Sequence, residues 1–76
     1  MKIEVLTTGQ VAKICRVSPG TVARWCTENR LLHYAIPGAM HRRVEVSQLR
    51  LFMAAHSLPM HWLEEGVKEL ERTKPD

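Results

Sequence analysis

The chain has 76 residues, 45% of them hydrophobic, with a net charge of +3. That length suits one small domain with a marginal core, and the ordinary apolar content excludes wholesale disorder. No apolar run approaches the length of a membrane span and the N-terminus carries no apolar signal block, so a cytoplasmic protein without a membrane partner is expected.

The charge is unevenly placed. Through residue 50 eight Lys/Arg face three acids, a net +5; beyond it three bases face five acids, a net −2. A polyanion-binding head with a solvated tail fits this division. Cys15 and Cys26 form no CxxC pair and fall on apolar helix positions, which reads as reduced core thiols.

In chain order, Met1–Leu6 is a lead-in. Leu6 is placed to act as a hydrophobic staple before Thr7 or Thr8, either of which can cap a first helix. That helix is expected from about Gly9 to Cys15, burying Val11, Ala12 and Cys15 with help from Ile14. Arg16 and Val17 form a turn. Ser18 is the N-cap and Pro19 the first residue of a second helix reaching about Glu28. Val22, Trp25 and Cys26 form its buried stripe at i, i+3, i+4 spacing. Asn29 suits a left-handed exit. Two helices this close read as a helix-turn-helix.

Residues 31–36, a Pro37-Gly38 turn and the basic stretch 41–44 suggest a hairpin, or wing. A third helix is expected from Val46 or Ser47, carrying Leu49, Phe52 and Met53 inward, and Leu58-Pro59 breaks it. A last helix from about Met60 to Arg72 aligns Met60, Leu63, Val67 and Leu70, with Trp62 beside the stripe, and is expected to pack against Phe52 and Met53. The predicted fold is mainly α with a small β-hairpin. Residues 1–58 form the winged unit, and 59–76 a helix and frayed tail packing on it or extending from it. The expected core comprises Val11, Ala12, Val17, Val22, Trp25, Leu49 and Phe52, with the Trp25 indole wedged between the second helix and the wing.

The exposed face of the second helix carries Gly20, Thr21, Arg24 and Thr27. Arg24 can fork onto a guanine edge or reach a phosphate, and Thr21 can hydrogen-bond a base edge or meet the thymine methyl. Gly20 lets backbone approach closely, and the first N–H groups after Ser18 and Pro19 can face a phosphate. A lone Arg24 would be an ordinary solvated arginine paired with Glu28 four residues on. Beside a basic wing, DNA contact is the stronger reading. His41, Arg42 and Arg43 follow the tight turn, where arginine suits a narrow minor groove. Strand alternation turns one of the two arginines away. His33, His41, His56 and His61 show no metal-ligand spacing, and no nucleophile elbow, phosphate loop or carboxylate pair is present. No enzymatic activity, metal or cofactor is expected.

The stretch from LTTGQVAKICRVSPGTVARW through the NRL exit to the PGAMHRR wing, residues 6–58, resembles the excisionase-type, MerR-like winged helix-turn-helix family. The HRR wing followed by FMAAHSLPM looks most like small domains associated with bacterial response regulators. The resemblance implies a bacterial, nucleoid-associated DNA binder. Its second helix would enter a major groove and its wing would meet the adjacent backbone or minor groove. Ser18, Pro19, Gly20, Thr21, Arg24, Thr27, Arg16, His41, Arg42 and Arg43 are the candidate DNA-binding residues.

Three departures stand out. Arg16 replaces the glycine often found in the turn, Asn29 replaces a glycine after the second helix, and the wing is one residue longer than PGGHRR. Transcriptional regulation on double-stranded DNA is the expected function. The alternatives are an excisionase-like factor that bends DNA, or a protein-interaction adaptor using the last helix. Further copies of the chain on DNA, or a response regulator meeting the last helix, are the expected protein partners.

Overall fold

The computed structural model describes residues 2–35, 37–38 and 42–72. Its elements are β1 (Val5–Thr7), α1 (Thr8–Cys15), α2 (Pro19–Thr27), β2 (Tyr34–Ala35), β3 (Arg42–Glu45), α3 (Val46–Ala55) and α4 (Met60–Arg72). The fold is mainly helical with a three-stranded antiparallel sheet of order β1-β3-β2, a winged helix-turn-helix.

Thr7 caps α1. Its hydroxyl accepts from the Gln10 N–H at 3.1 Å while the Gln10 side chain accepts from the Thr7 N–H at 2.8 Å. This reciprocal pair satisfies two donors that the helix start would otherwise leave open. The lead-in ends in a strand, β1. Leu6 lies opposite Val44 across the β1–β3 ladder, and both are fully buried. The ladder extends through the Val46 N–H, which donates to the Glu4 carbonyl at 2.9 Å. Leu6 is therefore a core residue of the sheet as well as the residue preceding the Thr7 cap, where a staple was expected, and it shares the buried cluster with Val11.

The α1–α2 turn rests on Arg16, whose backbone is left-handed at φ 60°, ψ 43°. The Val17 N–H closes the turn on the Ala12 carbonyl at 3.0 Å, satisfying a carbonyl of the helix end. Ser18 caps α2 by accepting from the Thr21 N–H at 3.2 Å. Asn29 then takes the left-handed conformation expected of it, φ 59°.

One apolar cluster unites every helix with the sheet. Val11, Ala12, Val22, Leu49 and Phe52 are buried in it together with Ile14, Cys15, Cys26, Leu31, Met53 and Leu63. Val17 and Trp25 are only partly buried at its margin. The Trp25 indole packs on the Phe52 ring of α3, centroids 4.8 Å apart. The expected wedge between α2 and the wing left out this neighbour: α3 packs on the indole. Phe52 in turn meets the His56 ring at 4.4 Å.

Helix α4 packs on α1 as well as on α3. Gly66 makes the α1 contact close, since a Cβ there would lie 2.5 Å from Ile14 Cγ1. The chain start is tied to the same helix by the Ile3 N–H, which donates to Glu71 Oε2 at 2.9 Å. No helix among the described residues is long and apolar enough to cross a membrane.

Candidate nucleic-acid interface

The buried stripe of α2 is Val22 and Cys26. Its opposite face leaves Pro19, Gly20, Arg24 and Thr27 exposed, with Thr21 half-buried. Ser18 is exposed as well, but its hydroxyl is engaged. It caps Thr21 and lies 3.0 Å from the Thr21 hydroxyl. The two hydroxyls can present one donor or acceptor outward while holding each other in place. Glu28 pairs with Arg30 at 2.8 Å rather than with Arg24. Arg24 makes no ion pair among the described residues, so its guanidinium projects from the outer face of the helix.

The wing separates its two arginines. Val44 is buried, and Arg42, two residues away, shares its face of β3. Arg42 accordingly reaches α2. Nη1 donates to the Ala23 carbonyl at 3.2 Å and Nη2 to Thr27 Oγ1 at 3.4 Å. Arg43 points the other way. It stands opposite Thr7 of β1 and Tyr34 of β2 on the outer face of the sheet, and its Nη1 donates to the Arg42 carbonyl at 3.4 Å. Gly38, at φ 84°, occupies the turn position that glycine tolerates best. His41 lies outside the described residues.

Arg16 is drawn elsewhere. Its guanidinium lies over the Trp62 ring of α4, 4.5 Å from the centroid. The structure thus gathers Ser18, Pro19, Gly20, Thr21 and Arg24 on one outer face. It places Arg43 on the sheet surface, and gives Arg42, Thr27 and Arg16 partners within the molecule.

A family model described as a helix-turn-helix domain matches residues 5–57. The chain belongs to this excisionase-type family of DNA-binding domains. No curated protein and no solved structure matches it. The matched span begins at β1 and ends just beyond α3, so it takes in both helices of the motif, the wing and the helix on which Trp25 rests.

Tyr34 is the surface residue that sequence reasoning missed. It is 44% exposed and sits beside Arg43 across the β2–β3 ladder. The available signal was an aromatic residue on the first wing strand, but its face depends on the register with β3. Neither cysteine belongs to the surface. Both are free thiols in the core; burial pushes Cys15 up to about 11 and raises Cys26 as well. Among the described residues no group of His, Cys, Asp or Glu is arranged to hold a metal ion.

Proposed function

We propose that this helix-turn-helix protein binds double-stranded DNA sequence-specifically as a small bacterial transcriptional regulator. Helix α2 enters the major groove, and the wing meets the adjacent minor groove or backbone. The observation that carries this reading is the bare outer face of α2. There Arg24 extends from an exposed surface, and in the first turn of the helix the Gly20 N–H has no partner among the described residues, whereas Ser18 holds that of Thr21. Such a face offers a guanidinium for a guanine edge and a helix N-terminus for a phosphate. Arg43 and His41 supply the wing contacts, and the net +5 of residues 1–50 draws the polyanion in.

The test is a fluorescence-anisotropy titration of a mixed-sequence duplex across a salt series, followed by selection of preferred sites. About three to five phosphate contacts should give a log–log salt slope of about −3 to −5. Enrichment of one short site over random duplex supports sequence reading. Absence of duplex binding at low salt would defeat the proposal. Strong bending of the selected site would favour an architectural role over simple operator binding.

A further inference from the structure

We infer that Arg42 is a positioning residue that locks the wing to the reading helix, and that it is not a phosphate contact. Its two terminal nitrogens bridge two acceptors on successive turns of α2, the Ala23 carbonyl at 3.2 Å and the Thr27 hydroxyl at 3.4 Å. The second acceptor, Thr27, is the last residue of the helix, where the aligned peptide dipoles favour a cation. The same guanidinium acts on Cys26, also on α2, opposing the rise that burial imposes on its thiol.

The wing needs such an anchor. Strand β2 has two residues and β3 has four, and an isolated two-stranded hairpin is marginal in water. On one side β3 is held by its ladder to β1. Toward α2 the guanidinium supplies the hydrogen bonds that fix the distance from wing to helix. A planar fork can reach both acceptors at once, whereas a lysine ammonium keeps the charge without that two-point geometry. A rigid wing presents Arg43 and Tyr34 in fixed relation to Arg24. The DNA-bound arrangement is then prepaid in the free protein.

The inference rests on the DNA-binding reading, and the experiments separate the two. Arg42→Lys, Arg42→Ala and Arg43→Ala are titrated with a fluorescein-labelled mixed-sequence duplex over a salt series. Circular dichroism at the titration temperature establishes that each variant is folded. Both Arg42 variants should lose about five- to tenfold in affinity, as expected for the loss of an ordinary hydrogen bond, while keeping the wild-type salt slope. Arg43→Ala should instead lower the slope by about one unit, in the wild type and in the Arg42→Lys background alike. If Arg42→Lys retains wild-type affinity while Arg42→Ala loses one unit of slope, Arg42 is a phosphate contact and the clamp is overturned. Unchanged affinity in both variants overturns it equally.

Wild-type protein that binds no duplex would end the functional proposal, and the clamp is then decided without DNA. Arg42→Lys and Thr27→Val should each speed amide exchange along β2, β3 and the last turn of α2. The double variant should be no faster than the faster single one. Additive acceleration would show that the two residues act apart and would overturn the clamp.

Discussion

The guanidinium of Arg16 lies over the ring of Trp62, 4.5 Å from its centroid, and so joins the turn of the helix-turn-helix to the last helix across 46 positions of sequence. Arg16 holds a left-handed backbone, φ 60°, which costs a non-glycine residue about 1–2 kcal/mol. An exposed cation–π contact returns about 0.5–1 kcal/mol. Replacement by glycine removes both effects, so the unfolding free energy of Arg16→Gly should change by less than about 1 kcal/mol. Arg16→Val keeps a side chain ill-suited to this conformation and loses the contact, and should cost about 2 kcal/mol or more. Urea denaturation compares the two. A glycine variant as damaged as the valine variant would show that the turn carries no backbone strain.

Gly66 should resist enlargement. A Cβ there would sit 2.5 Å from Ile14 Cγ1 and 3.6 Å from Ile14 Cβ, so the clash meets the base of a buried side chain and not a flexible tip. Alanine gains about 1 kcal/mol in helix propensity, and overpacking costs about 1–3 kcal/mol. Gly66→Ala should therefore lower the melting temperature despite its better propensity. Pairing it with Ile14→Ala should cost less than the sum of the single losses. Strict additivity would mean that α4 does not lie on Ile14.

Trp25→Ala removes the indole from Phe52, 4.8 Å away. The side chain is only partly buried, so the loss should fall near 3 kcal/mol, the low end for a core aromatic. In a domain of this size that is a large share of the folding free energy. The Phe52–His56 contact at 4.4 Å should loosen with it, visible as a shifted His56 ring resonance. A variant with wild-type melting temperature but weakened DNA binding would make Trp25 part of the interface.

Arg24→Ala should cost about 1–3 kcal/mol on a selected site and relax preference at one base pair. The loss on random duplex should be smaller, because Arg24 stands on the reading face and not on the wing. Equal losses on both duplexes, measured by anisotropy, would reduce Arg24 to a phosphate contact.

The buried thiol of Cys15 sets an alkaline limit. Burial lifts it from the ordinary 9.0 to about 11, so the folded protein favours the protonated form. The associated stability is fully present below pH 9 and is lost as pH rises toward 11. Urea midpoints should fall across that window more steeply for the wild type than for Cys15→Ala, and native protein at pH 8 should alkylate slowly. Parallel pH profiles for the two proteins would show that Cys15 does not contribute.

The sequence by itself determined whatever neighbouring residues decide among themselves. Ser18-Pro19 starts α2, Thr7 with Gln10 three residues on caps α1, Pro37-Gly38 turns the chain, and Leu58-Pro59 separates α3 from α4. These are contacts within one helical turn or one tight turn, and their chemistry is written in local spacing. The outward face of α2 followed for the same reason, because its apolar stripe repeats at helical period.

What only the tertiary structure decided depends on partners far along the chain. Three residues are too few to show a strand period, so Val5–Thr7 became legible as β1 only once β3, 38 positions on, was beside it. The register of β3 against the core turned Arg42 inward to Ala23 and Thr27 and left Arg43 outside with Tyr34, a division that two adjacent arginines cannot announce. Trp25 found Phe52 and Arg16 found Trp62 because apolar area and cation–π attraction are satisfied by whichever helix the packing brings near. Spacing within one element can propose a face, but the assembled core selects what that face meets.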